Sequence, residues 1–236
     1  MSDPIAEQAS YWDAWNAENR EHAQSDISHD QKEAALGWLS ATGRFDLDIL
    51  EVGCGAGWLC PWLKPYGRVT ATDLSPDVLR RAAERIAGVE FINGDFMTLD
   101  FPEHGFDVVV TLEVLSHVGD QPAFIAKIAR LLRRGGVLIL ATQNRPVLER
   151  HNKVAPTQAG HLRRWFDRNE LSELLAPHFT VEAMRTMTPI ANKGPMRLIA
   201  GRWGRRVMRA LSGRRLETTL GSAGFGWTLM TLARKA

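Results

Sequence analysis

Leu47-Asp-Ile-Leu-Glu51-Val-Gly53-Cys-Gly55-Ala-Gly57-Trp58 begins as an apolar, strand-like run and ends in a glycine-rich turn. Glycine lets a chain turn tightly and lets a ligand approach main-chain atoms with no Cβ in the way. In open α/β sheets such turns lie at the carboxyl edge of the strands, where ligands bind. A dinucleotide loop of the form G-x-G-x-x-G/A needs a small residue where Trp58 stands. A phosphate-cradling P-loop needs Lys followed by Ser or Thr, whereas this chain continues Trp58-Leu-Cys60-Pro-Trp62-Leu63. The turn therefore argues against both of these ligands.

Outward from the turn, short β-branched runs recur at Arg68–Thr72, Val89–Ile92, Asp107–Leu112 and Gly136–Ala141. Segments with helical spacing, Pro76–Ala87 and Pro122–Leu132 among them, separate the runs. Near-continuous apolar strands joined by helices predict a parallel sheet covered on both faces. Two later runs, Phe179–Met184 and Gly226–Ala233, bring the expected number of strands to seven. Before them stands Asp167, an N-cap with Glu170 three residues on, opening a short helix that Pro177 ends. Tyr11–Trp15 and Gln31–Leu39 predict helices before the first strand, lying across or beside the ligand edge.

The 236 residues, 44% hydrophobic and 24% charged, have the composition of an ordinary folded domain and exclude a collagen, a disordered tail and a disulfide miniprotein. Cys54 and Cys60, with no histidine or third cysteine near, suggest neither zinc nor a disulfide framework. No apolar run approaches the ~20 residues of a membrane span, and the first residues lack a signal-peptide pattern. A cytoplasmic protein with no metal is expected. Net charge is +2, but Lys193–Arg215 holds eight basic residues and no acid, which leaves −6 for the rest of the chain. An acidic body is a poor general nucleic-acid binder.

With Glu51-Val-Gly53-Cys-Gly55-Ala-Gly57 and the three motifs that follow it, the sequence resembles the class I S-adenosylmethionine-dependent methyltransferases, in their small-molecule, ubiquinone-type O-methyltransferase branch. Those motifs are Val69-Thr-Ala-Thr-Asp73-Leu74-Ser-Pro76, Asn93-Gly94-Asp95-Phe96, and Phe106-Asp107-Val-Val-Val-Thr-Leu112-Glu113-Val-Leu-Ser-His117. The resemblance spans about 45–145 strongly and the two ends weakly. It implies a Rossmann-like, seven-stranded, mostly parallel sheet with helices on both faces. One domain would carry an N-terminal helical lid (1–44), a cofactor-binding core (45–145) and a substrate-side region (146–236), with a basic helical insertion about 189–220.

For the cofactor, S-adenosyl-L-methionine, the resemblance implies that Glu51 faces the amino-acid moiety and that Gly53, Gly55 and Gly57 give it room. Asp73 would accept the ribose hydroxyls, for which a carboxylate is a suitable bidentate acceptor. Asp95 would bind the adenine amino group and Phe96 would stack beside the ring. Cys54, Trp58, Leu74, Leu112, Glu113 and the lid residues Tyr11 and Trp15 complete the implied contacts. Other readings stay open at single positions: Asp73 as a helix N-cap, Asp95 as a turn residue, and the cluster of Tyr11, Trp12 and Trp15 as core. Cys54 reads as a small spacer.

A sulfonium methyl is already electrophilic, so the protein must exclude water and align a nucleophile, with base catalysis an addition. His117 is the first candidate base, against a reading in which it only orients its loop. His161, after the fifth strand, is the second, against an exposed loop histidine. Asn144 and Arg145 are candidate substrate contacts or turn residues. On a helical wheel Met196, Ile199, Ala200, Trp203, Val207, Ala210 and Leu211 oppose Arg202, Arg205 and Arg209. That basic amphipathic helix has three readings: a cover with solvated arginines, a contact to anionic lipid, or a nucleic-acid contact. Methyl transfer to a small-molecule acceptor, at a hydroxyl oxygen, is the expected function. An RNA- or protein-directed methyltransferase and a non-catalytic ligand-binding module are the alternatives. The first lacks an N-P-P-Y-type tetrad after the fourth strand and any cysteine past Cys60.

Overall fold

The period-two alternation of β1 (Leu47–Val52) puts Ile49 on one face of a sheet and Leu50 on the other; both are fully buried, so the strand has protein on each side. In the computed structural model, which describes residues 4–19, 25–157 and 161–236, β1 belongs to a seven-stranded sheet ordered β3-β2-β1-β4-β5-β7-β6. β2 (Gly67–Asp73), β3 (Glu90–Asn93), β4 (Phe106–Leu112) and β5 (Leu132–Gln143) pair in parallel. β7 (Thr228–Lys235) runs antiparallel between β5 and β6 (Phe179–Met187). The seven expected strands are thus present in a mostly parallel sheet. β5 starts at Leu132, which pairs with Phe106 before the register shifts, rather than at Gly136.

Helices cover both faces. α5 (Gln121–Leu131) buries Phe124, Ile125 and Ile128 in one cluster with Leu50, Val109, Leu138 and Leu140. α7 (Arg168–Leu175) adds Leu171 and Leu175; it opens on a capping box between Asp167 and Glu170 and stops before Pro177. On the opposite face α2 (Asp26–Ala41) sets Ala34, Ala35 and Leu39 in a cluster with Ile49, Val108, Val110 and Ile139, and Leu63 of α3 (Cys60–Leu63) joins them. α4 (Pro76–Arg85) follows β2, and α6 (Arg145–His151) follows β5.

The strand order reverses between β1 and β4, and a crevice opens where their carboxyl ends part. α1 (Pro4–Asn19) is fastened over it at two points. Asp13 Oδ1 accepts from the Val78 N–H in the first turn of α4 (3.2 Å), and Gln8 Nε2 donates to the His117 carbonyl (2.8 Å).

Between β6 and β7 lie α8 (Arg197–Ala200), α9 (Arg202–Ser212) and α10 (Arg215–Leu220). The single helix expected through 196–211 is broken at Gly201, which is extended (φ −78°, ψ 172°). A Cβ at Gly204 would stand 2.1 Å from the Leu198 carbonyl oxygen, so this glycine permits α9 to fold back on α8. The reading of this helix as a cover with solvated arginines is corrected at Arg205 and Arg209. Arg205 pairs with Asp26, and Arg209 with Asp26 and Glu217, because α2 and α10 bring carboxylates to that side of α9. Arg214 likewise pairs with Asp30 of α2. Among the described residues, no helix is long and apolar enough to cross a membrane.

Candidate active site

The glycine turn is strapped to the end of β2, since the Gly53 and Cys54 N–H groups both donate to the Thr72 carbonyl (2.8 and 3.1 Å). Gly53 has φ +74°, and a Cβ on it would stand 2.2 Å from Val114 Cγ2, across the switch point. Only glycine meets both conditions. Asp73 ends β2 and holds the same turn: Oδ2 accepts from the Gly55 N–H (2.7 Å) and Oδ1 from the Ser75 N–H (2.9 Å). The N-cap position of α4 belongs to Ser75. Burial raises the Asp73 carboxyl above its ordinary range, against the lowering effect of the Ser75 and Gly55 amides; the nearby Asp13 adds to the rise.

A cavity of about 680 Å³ extends from this turn. The structure brings Tyr11, Trp15, Gly53, Cys54, Gly55, Trp58, Asp73, Leu74, Asp95, Phe96, Leu112, Glu113, His117 and His161 together on its wall. Asp95 also shapes its own turn, its Oδ1 accepting from the Met97 N–H (2.9 Å). Phe96 packs edge-on against Phe124, with ring centroids 5.2 Å apart.

Four expected site residues lie elsewhere. Glu51 points into the protein, where its Oε2 accepts from Cys60 Sγ (3.1 Å). Burial pushes its carboxyl up to about 8, opposed by the Cys60 hydrogen bond and aided by Asp73. Gly57 faces α4, a Cβ there standing 2.8 Å from Ile86 Cδ1, so its glycine serves packing. Asn144 is buried and its Nδ2 donates to the carbonyls of Gly224 and Gly226 (3.1 and 2.8 Å), tying β5 to the approach of β7. Arg145 pairs with Asp167 and Glu170 at the start of α7 (2.7 and 2.8 Å). Both are drawn off the cavity by stronger local partners. Burial also raises the thiols of Cys54 and Cys60, the latter despite a Cys54 contact that lowers it, and reactive thiolates are not expected.

Glu113 follows β4 with φ +65°, and its Oε1 accepts from Gln31 Nε2 (2.5 Å) and Thr228 Oγ1 (3.1 Å). Helix α2 and strand β7 thereby fix one carboxylate at the switch point. Beyond it comes the turn Leu115–His117, along which the segment after α6 is laid. The Arg164 N–H donates to the Ser116 carbonyl (2.8 Å), and His117 Nδ1 lies 2.7 Å from the Leu162 carbonyl oxygen. A carbonyl only accepts, so Nδ1 carries the proton and Nε2 keeps its lone pair. This pairing sets His161 beside His117.

The rings of Tyr11 and Trp12 close over the two histidines, at centroid distances of 4.5 Å (Tyr11 to His161) and 4.7 Å (Trp12 to His117). Burial pushes His117 down to about 4, against the Leu162 carbonyl, which favours the charged ring; His161 and Arg163 lower it further. His161 is also pushed down to about 4, by burial and then by Arg163. Both rings are neutral near pH 7.

Several cavity residues were not picked out as site residues in the sequence: Asn16, Gln143, Arg163, Trp165 and Trp227. Gln143 ends β5 beside the switch point, and that position is a readable signal. Asn16 shows only in three dimensions, its Oδ1 lying 3.0 Å from where a Cβ on Gly55 would be.

Thr72 Oγ1 and Gln143 Oε1 are buried on this wall without a protein hydrogen-bond partner, and such atoms are ordinarily satisfied. With the Gly53–Gly55 cradle, the carboxylates of Asp73, Asp95 and Glu113, and the aromatic faces of Trp12, Trp15 and Trp58, they fit a nucleoside carrying hydroxyls, an amine and a positive charge. Fold and wall together define a doubly wound protein whose switch-point cavity fits such a nucleoside.

A family model described as a methyltransferase domain matches residues 50–140. The ubiquinone biosynthesis O-methyltransferase of Caulobacter vibrioides is 31% identical over 171 residues, which cover 67% of each chain. An uncharacterized methyltransferase of Mycobacterium tuberculosis is 38% identical over 105 residues, 42% of this chain and 52% of that one; the chain spans about half the length of this relative. In structure, the Burkholderia thailandensis 1,6-didemethyltoxoflavin-N1-methyltransferase, solved with its substrate and S-adenosylhomocysteine, matches in fold with a TM-score of 0.64 at 23% identity, over 100% of this chain and 92% of that one. The chain belongs to the class I S-adenosylmethionine-dependent methyltransferases, and its cofactor is S-adenosylmethionine.

Proposed function

We propose that the protein transfers a methyl group to a hydroxyl oxygen of a small, flat and largely apolar acceptor, with His117 receiving the proton. The observation that carries this reading is the chamber formed by His117, His161, Tyr11 and Trp12 on the cavity wall. When bound, the cofactor supplies a methyl group on a cationic sulfur. Asp73, Asp95 and Glu113 would hold it, Gly53 and Gly55 would leave it room, and the indoles of α1 would face the positive charge.

The aromatic walls of the chamber favour a planar ring. His117 Nδ1 is committed to Leu162, so its Nε2 is the atom free to accept a hydroxyl proton. A ring held at about 4 takes that proton as the oxygen acquires its new bond, not beforehand. The names of the relatives support a small acceptor: one is an O-methyltransferase of ubiquinone biosynthesis, and one is named a 1,6-didemethyltoxoflavin-N1-methyltransferase.

The test is a panel of phenols, quinol precursors and aromatic amines, scored by thermal shift beside S-adenosylhomocysteine and then by transfer of labelled methyl. Turnover of the hydroxylated compounds with loss in His117→Ala is expected. Methylation confined to amines, or to RNA or protein, would overturn the reading.

A further inference from the structure

Helix α9 is built inside out. A surface helix ordinarily buries its apolar stripe and turns its charges to water. Here the inward face carries Arg205, only 16% exposed at its side chain, and Arg209, which bind Asp26 and Glu217. The outward face carries Trp203 (78% exposed), Val207 (55%) and Leu211 (83%), and Leu198 of α8 (73%) extends it. Ile199 and Leu216 are exposed as well. Large side chains concentrated on one helical surface in this way mark a contact surface.

The charges around this stripe identify the partner. Arg197, Arg202, Arg206 and Arg215 are exposed, and among the described residues none of them pairs with an acid. The whole stretch from Lys193 to Arg215 contains no acidic residue. A second copy of the chain docking through a two-fold axis would bring this cationic rim against itself. Nucleic acid would answer the arginines but leave the leucines, the valine and Trp203 with nothing apolar to meet. An anionic bilayer answers both, with acyl chains for the stripe and headgroups for the rim.

We propose that α8 and α9 dock the protein on an anionic membrane surface, with Trp203 and Leu211 inserted and Arg202 and Arg206 at headgroup level. The surface is joined to the cavity by short connections. Asp26, which holds Arg205 and Arg209, precedes the cavity residue Ile27, and the Asn192 and Lys193 N–H groups donate to the His151 carbonyl just before the cavity residue Lys153. The proposal stands independently of which acceptor is methylated.

Sedimentation of the full chain with sucrose-loaded vesicles tests it, without methyl donor or acceptor, so the result does not depend on the reading of the active site. Vesicles of phosphatidylcholine with phosphatidylglycerol should carry the protein down, and vesicles of phosphatidylcholine alone should not. The Trp203→Ser, Leu211→Ser variant should lose at least tenfold in partitioning. The Arg202→Gln, Arg206→Gln variant should lose about 25-fold, about fivefold for each arginine near an anionic surface. All four side chains are exposed, and unchanged affinity for S-adenosylhomocysteine would verify the fold of each variant. Absence of vesicle binding overturns the proposal, as does binding that survives both pairs of substitutions. A dimer abolished by Leu211→Ser assigns the face to a second copy and overturns it equally.

Discussion

The imidazoles of His117 and His161 lie with ring centroids 5.1 Å apart, although a helix, the longest strand and a further helix separate them in the chain. What joins them is backbone pairing of the 162–164 segment with the turn after β4. Each ring is held neutral down to about pH 4, so neither is an acid at neutral pH. The acid limb of kcat/KM should therefore lie near pH 4, with no inflection near the ordinary histidine value. His117→Ala should lower kcat by about 10²-fold or more. An unchanged rate and pH profile in that variant would rule out the proton-accepting role.

Asp73 is expected to serve twice, holding the Gly55 N–H and presenting a carboxylate to the cavity. Asp73→Ala should weaken S-adenosylhomocysteine by about 100-fold, the equivalent of two hydrogen bonds to a charged group at the lower end of their range. Calorimetric titration measures it. Affinity equal to that of the parent chain would move the nucleoside site elsewhere.

Gly53 is constrained by its left-handed backbone and by Val114. Gly53→Ala should cost about 1–2 kcal/mol for the backbone alone, with the methyl clash added. Combining it with Val114→Ala should remove the clash and leave the backbone cost. Denaturant unfolding of the single and double variants separates the two, and a neutral single variant would contradict the geometry.

Glu51 gives a pH signature. Its folded-state value of about 8 lies above the ordinary 4.5, so the folded chain binds the proton more tightly than the unfolded chain. The associated stability is present below pH 4.5 and is lost as pH rises toward 8. Glu51→Gln should barely alter Tm at pH 4.5 and should raise it relative to the parent at pH 8.5. An equal difference at both pH values would refute the buried-carboxyl assignment.

Asn144 and Arg145 should separate stability from binding. Asn144→Ala leaves the Gly224 and Gly226 carbonyls short of a donor and should lower Tm, with the affinity for S-adenosylhomocysteine retained. Arg145→Ala removes partly exposed ion pairs worth about 1 kcal/mol or less. A specific rise in KM for the acceptor in either variant would return that residue to the site.

The core of the fold was legible because its signals are local. Alternating strands, the Asp167–Glu170 cap and the glycine turn each act within a few residues. The cavity wall was legible where a residue sits at a strand end, as Asp73, Asp95 and Glu113 do. Glu51 was not, because the sequence does not reveal that Cys60 returns beneath it. Asn144 and Arg145 stand at the right strand end too, yet β7 and α7 claim their side chains. The orientation of α9 stayed open among three readings. A helical wheel finds two faces, but only the acids of α2 and α10 decide which one turns inward.

One helix, α1, touches the cavity wall at two places, with Asn16 over Gly55 and Tyr11 over His161. A ligand entering or leaving at either place should therefore pass under the same helix. The nucleoside and the acceptor should then exchange in a compulsory sequence, with the lifting of that helix as the slow step. Product-inhibition patterns would record that sequence directly.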